Sequence, residues 1–338
     1  MAFASGKIIH LLCSILAAVI LIIFSHSGIL NLKLKMKSVH RIPKTELNEQ
    51  ATPFQNEVEG FVKIEKDGHL LERIEQRQTV RQQRLREYCE KHASSRNRSD
   101  RYERPIIVND EYKVIFCPIA KVACTQWKFV FLALDNRTDV DDVHDNKNFK
   151  HLFTDYSDED IKVRLQSYFK FLFVREPLER LLSAYNNKFV KKKWDWKIIE
   201  SYEKKILERY KQDEPSSSSS DQDLTFKKFI YYVSDVGFDR DVHWRSYGPL
   251  CHPCDIEYDF IGHFEDMSEE APYILRQTGM DRAVTFPPFL THNTTSELLK
   301  SYAPIPKEKI AQLGKAFQED FEMFNYDFPG PLSDLVHD

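Results

Sequence analysis

Glycine is scarce in this chain, at 10 of 338 positions, where about 7% is usual. No G-x-G-x-x-G or Walker-type run occurs, and Gly314-Lys315 fails as one because position 309 is lysine. Dinucleotide-binding and nucleotide-triphosphatase readings thereby lose their main support. The H-R-D and D-F-G signatures of protein kinases are missing as well. Basic charge is not in surplus: 48 Lys and Arg face 52 Asp and Glu, a net charge of −4, so no global field attracts nucleic acid. Cys251-His-Pro-Cys254 has no second C-x-x-C or H-x-x-x-H partner. That disfavours zinc and leaves a tight local disulfide, a redox pair or plain core thiols. Residues 8–32 contain no Asp, Glu, Lys or Arg at all.

The apolar part of that uncharged stretch, Ile8 to Phe24, is about one membrane span. A cleaved signal peptide is the competing reading. The run is longer than a usual signal core, and Ser25-His26-Ser27-Gly28 makes a poor cleavage site. We read residues 1–7 as a cytoplasmic tail, 8–30 as a transmembrane signal anchor, 31–104 as a luminal stem and 105–338 as the folded domain. Lys33, Lys35 and Lys37 outnumber Lys7 and argue against a luminal C-terminus. The glycosylation sequons at Asn97, Asn136 and Asn293 argue for one. In a lumen Cys89, Cys117, Cys124, Cys251 and Cys254 can form disulfides. Five is odd, so at least one thiol stays free or pairs between chains.

Within the stem, Leu70 to His92 reads as a helix with too few apolar positions for a coiled coil. Further on, Ile106 to Val108, Tyr112 to Phe116, Phe169 to Val174 and Tyr258 to Phe264 read as strands. Trp127 to Leu134, Ser268 to Gly279 and Lys307 to Phe324 read as helices. Pro215 to Asp223, with five consecutive serines, reads as a flexible insertion. Strands alternating with helices imply an α/β fold, a parallel sheet flanked by helices.

Two segments carry chemistry. In the first, the strand Tyr112 to Phe116 breaks at Pro118 and a helix follows, with Lys121 in the loop and Thr125 at the expected N-cap. Strand, tight loop and helix bring backbone N–H groups and a positive dipole end to a phosphate. A buried strand and helix with an incidental lysine fits the same residues. In the second, the strand Phe169 to Val174 runs into Arg175, Pro177 opens a helix, and Ser183 follows eight residues after the arginine. An arginine at a strand end can fork onto a phosphate that a helix serine shares.

Residues 120–126, Ala-Lys-Val-Ala-Cys-Thr-Gln, and 175–183, Arg-Glu-Pro-Leu-Glu-Arg-Leu-Leu-Ser, together resemble the two nucleotide-binding motifs of the Golgi carbohydrate sulfotransferases. The group containing the chondroitin and dermatan 4-O-sulfotransferases and the HNK-1 sulfotransferase is the most similar. The likeness continues through His243-Trp244, Leu250 to Cys254 and Tyr258 to Gly262. Ala120 replaces a usual proline, Gln126 an asparagine and Glu176 a frequent aspartate.

The resemblance implies a P-loop-like sulfotransferase fold in a type II Golgi membrane protein. It implies an enzyme that uses 3′-phosphoadenosine-5′-phosphosulfate to sulfate a glycan, most like the chondroitin/dermatan N-acetylgalactosamine O4 branch. HNK-1-type and N-glycan-directed transfer are the alternatives. Residues Ala120, Lys121, Val122, Ala123, Cys124, Thr125 and Gln126 would hold the 5′-phosphosulfate. Arg175, Glu176, Pro177, Leu178, Glu179, Arg180, Leu181, Leu182 and Ser183 would form the 3′-phosphate motif. Lys121 would stabilise the leaving charge, and no metal is required. His243 is the first candidate for the base, and His151 the second. Trp244 suits stacking on a sugar or a place in the core. The cluster Lys188, Lys191, Lys192, Lys193 and Lys197 suits an acidic glycan or a solvated helix face. A non-enzymatic membrane glycoprotein that binds anionic glycans is the rival of another class; Lys121 and Arg175 speak against it.

Overall fold

The computed structural model describes residues 68–93, 105–193, 195–210, 224–288 and 294–336. The expected anchor, the sequons at Asn97 and Asn293 and the serine-rich insertion lie outside them. Four strands form one sheet in the order β1-β2-β3-β4: β1 Ile107–Asn109, β2 Val114–Cys117, β3 Phe169–Val174 and β4 Phe260–His263. Strands β2, β3 and β4 are parallel, with Phe116 opposite Phe171 and Phe173 opposite Gly262. The sheet is not wholly parallel as expected, because β1 pairs antiparallel with β2. Only residues 110–113 separate these two strands, too few for the crossover that parallel pairing needs. Lys113 in the turn has φ 53°, and the Asn109 side chain accepts the Tyr112 amide at 2.9 Å.

The helix α1, Gly68–Lys91, stands where the stem was expected. It is part of the folded unit. Leu70, Ile74, Gln78, Arg81 and Leu85 are buried along one face. The Gln78 amide exchanges two hydrogen bonds with the Ile261 backbone, both 2.9 Å, and so pairs the outer edge of β4 as another strand would. Arg81 adds ion pairs to Asp266 at 2.5 Å and Glu270 at 2.7 Å. A disulfide from Cys89 to Cys254 closes the attachment, and a second joins Cys117 to Cys251. Cys251 and Cys254 therefore do not pair with each other. The helix that ends at Cys251 turns at His252, φ 47°, and the two cysteines serve different segments.

On one side of the sheet α2, Cys124–Leu134, packs Trp127 and Phe131 against Phe116 and Phe171, with Trp127 and Phe171 ring centroids 4.7 Å apart. A second apolar cluster joins α4, Pro177–Tyr185, to α6, Phe226–Tyr232, and to α9, Thr294–Tyr302, through Leu178, Leu181, Phe229 and Tyr302. Between them in sequence lie α3, Asp158–Ser167, α5, Trp196–Arg209, α7, Tyr247–Cys251, and α8, Met267–Gln277. The helix expected from Lys307 to Phe324 is two helices, α10 Lys307–Ala316 and α11 Gln318–Met323, with a break at Phe317. The break serves buried Asp320, whose Oδ1 accepts the Tyr247 amide at 2.8 Å.

Candidate active site

The site is built at the C-terminal ends of β2 and β3. After Cys117 the chain runs through a loop in which Lys121 has φ 71° and Ala123 φ 51°. Left-handed residues on either side of Val122 curl successive N–H groups toward one concavity, a geometry suited to anions. Thr125 is not the N-cap. Ala123 is, and no side chain caps the first turn of α2. The amides of Cys124, Thr125 and Gln126 thus form an open helix N-terminus. Cys124 is a free thiol at the first helical position.

Cations surround this turn. Burial, joined by the charges of Lys188, Arg175 and Lys191, lowers the Lys121 amine to about 8. Burial also lowers Lys128 and Lys188. Lys188, from the expected basic cluster, therefore belongs to the site. It lies on a π-helical turn, Asn186–Val190, that continues α4. Lys191, Lys192 and Lys193 beyond it are exposed.

The second motif divides by role. Arg175, 5% exposed, ion-pairs with Glu179 at 3.3 Å and lies over the Phe264 ring at 4.2 Å. Glu176 caps α4, accepting the Glu179 amide at 2.6 Å, and Pro177 occupies the first turn. Leu178, Leu181 and Leu182 lie in the apolar core, and Ser183 is half-buried. Arg180, 2% exposed, donates to the carbonyls of Ala120 at 3.1 Å, Val242 at 3.0 Å and Arg245 at 2.6 Å. It is a clamp that ties the first loop to the His243 segment.

In that segment Asp241 Oδ1 accepts the His243 amide at 2.9 Å and sits 2.6 Å from His243 Nδ1. The carboxylate acceptor assigns the proton to Nδ1 and the lone pair to Nε2. Burial, aided by Lys188 and Lys121, lowers the His243 pKa despite Asp241, so the ring is neutral near pH 7. His243 and Lys121 are thus brought into one electrostatic neighbourhood. His151 instead sits beside β1: its carbonyl accepts the Val108 amide and its ring meets Tyr156 at 5.6 Å. Trp244 is a core residue, 1% exposed, with its indole N–H donated to Gly237 at 2.8 Å. His144 was not anticipated: its Nε2 lies 3.4 Å from Thr125 Oγ1. Its position in the loop directly after α2 was the available signal. Among the described residues no group of three or more His, Cys, Asp and Glu is arranged to hold a metal.

Residues 104–327 match the sulfotransferase family. The chain is 35% identical to carbohydrate sulfotransferase 11 of Rattus norvegicus over 242 residues, 67% of this chain and 68% of the relative. It is 36% identical to carbohydrate sulfotransferase 10 of Gallus gallus over 243 residues, 66% and 67% of the two chains. To carbohydrate sulfotransferase 14 of Danio rerio it is 36% identical over 241 residues, 68% and 64%. No solved structure matches.

Proposed function

The chain belongs to the sulfotransferase family, and on that premise we propose that it sulfates a glycan. The donor is 3′-phosphoadenosine-5′-phosphosulfate and the acceptor is O4 of N-acetylgalactosamine in chondroitin or dermatan. One observation carries the reading: an uncapped helix N-terminus set among Lys121, Lys128, Lys188 and Arg175. Three lysines lowered by burial, with Lys121 lowered also by the charges of Lys188 and Arg175, match a ligand that bears phosphates and a sulfate.

The donor supplies activated sulfate: an acceptor oxygen–sulfur bond forms as the sulfur–oxygen bond to its phosphate breaks. The amides of residues 121–126 hold the 5′-phosphosulfate. Lys121 balances negative charge as it grows on the departing oxygen. Arg175 and Ser183 take the 3′-phosphate. His243 Nε2 receives the acceptor hydroxyl proton, while Asp241 holds the ring in the tautomer that makes Nε2 the base. Arg180 does not reach for a ligand; it keeps the loop and the His243 segment in register.

We place the folded domain in the Golgi lumen, on a single-pass type II anchor. Two disulfides suit an oxidising compartment. Asn136, exposed in the turn after α2, suits glycosylation. The test is transfer of radiolabelled sulfate by the full-length chain to desulfated chondroitin, dermatan, an HNK-1-type precursor and an N-glycan, beside Lys121→Ala. Label at N-acetylgalactosamine O4, lost in the variant, is expected. Donor binding without transfer to any of these glycans would overturn the reading.

A further inference from the structure

Outside the site, α5, α6 and the π-helical turn Val233–Gly237 line a cavity of about 470 Å³. Its walls are Tyr202, Lys205, Arg209, Tyr232, Val236 and Arg240. Tyr202, Lys205 and Arg209 recur at i, i+3 and i+7, one face of α5. The described partners of the three cations are neutral. Lys205 lies 5.6 Å from the Tyr202 ring centroid, Arg209 donates to the Tyr210 hydroxyl at 3.2 Å, and Arg240 donates to the Val236 carbonyl at 3.3 Å. Three such charges around one cavity, in a chain of net charge −4, are a local attraction for an anion. The half-buried Tyr202 ring beside them offers an apolar body and a polar tip to a pyranose ring, while Tyr232 backs it from the core.

The cavity is one side chain from the base. The Tyr202 hydroxyl lies 3.5 Å from Asp241 Oδ2, and Oδ1 of the same carboxylate holds His243. A ligand seated here therefore adjoins the acceptor side of the reaction. We propose that the cavity is an exosite that seats an acidic sugar of the acceptor chain, through a uronate carboxylate or a sulfate ester, while a neighbouring sugar is presented to His243. This rests on the glycan-transfer reading above.

The test compares the full-length chain with Lys205→Ala/Arg209→Ala on three acceptors: unsulfated chondroitin, its carboxyl-reduced neutral derivative, and carboxyl-reduced chondroitin bearing sulfate at O6. The variant should raise KM for chondroitin roughly tenfold, the sum of the two exposed ion pairs it removes, and leave kcat within about twofold. Added salt should narrow the gap. KM for the neutral polymer should not move. A rise for the sulfated neutral polymer would name sulfate as a second source of the charge, and no rise would name uronate alone. Affinity for adenosine 3′,5′-bisphosphate, measured by calorimetry, should stay unchanged and would show an intact fold and donor site. An unchanged KM for chondroitin, or an equal rise for the neutral polymer, would overturn the exosite. If the wild type transfers to none of the three, chondroitin as the acceptor falls. The exosite is then judged by calorimetric binding of chondroitin, where equal affinity of wild type and variant overturns it.

Discussion

Parallel neighbours β2 and β3 each run into a helix at the same end of the sheet, yet the two junctions differ in where their amides go. After β2 the helix starts at Cys124, its N-cap Ala123 giving no side-chain cap, and the loop holds two left-handed residues. After β3 the helix is closed from within: Pro177 has no N–H to offer, and Glu176 takes the Glu179 amide. The first junction keeps backbone donors for an external anion. The second satisfies its own backbone and offers a side chain, Arg175, instead. On the proposed reading, two motifs of similar appearance would therefore bind by different means, one through the helix N-terminus and one through a guanidinium.

Removing the charge at the open junction should have the largest effect. Lys121→Ala should lower kcat by about 10²- to 10³-fold, the scale for losing one donor to a developing anion. Steady-state kinetics would show it, with little change in unfolding midpoint, since Ala is no worse than Lys at φ 71°. Next is the clamp between the junctions. Arg180→Lys cannot serve three carbonyls with one ammonium. Orphaning buried carbonyls of Ala120, Val242 and Arg245 should cost about 3 kcal/mol in denaturant unfolding, and kcat should fall with it.

The pH dependence separates base from cation. The free-enzyme kcat/KM should follow a bell. His243 must be neutral, so activity falls on the acid side below its ordinary 6.5. Lys121 must be charged, so activity falls again near pH 8. Asp241 raises the His243 pKa, so Asp241→Asn should move the acid limb to lower pH as well as reduce the rate.

The smallest effect concerns the closed junction. Burial pushes the Glu176 carboxyl up to about 8 from its ordinary 4.5. Between those values the folded chain holds a proton that the unfolded chain releases, so this group's contribution to stability is present at low pH and lost as pH rises toward 8. Glu176→Gln has no proton to lose. It should gain on the wild type across that window, read as a difference between the chemical-denaturation midpoints at pH 5 and pH 8.

What the sequence revealed was local. The strand Phe169 to Val174 appeared with both ends correct because an unbroken apolar run meets Arg175 and Pro177. The loop around Lys121 was visible as a break at Pro118 between two apolar segments. What stayed hidden depends on partners far along the chain. Arg180 looks like one more motif residue until Val242 and Arg245 are brought to it. The helix Gly68–Lys91 reads as polar stem because its buried face includes Gln78 and Arg81, whose partners lie on β4 and α8. Cys251 and Cys254 suggest a local pair, and only the folded chain brings Cys117 and Cys89 to them. Trp244 illustrates the limit on single residues: core and sugar platform demand the same side chain, and burial decided for the core.

The contrast between the two junctions can be measured with two ligands, adenosine 3′,5′-bisphosphate and adenosine 5′-phosphate, titrated calorimetrically into the full-length chain. The wild type should favour the bisphosphate. Arg175→Ala should erase that preference, and Lys121→Ala should weaken both ligands by similar factors. If Arg175→Ala keeps the full preference, the guanidinium does not hold the 3′-phosphate and the division of labour is wrong.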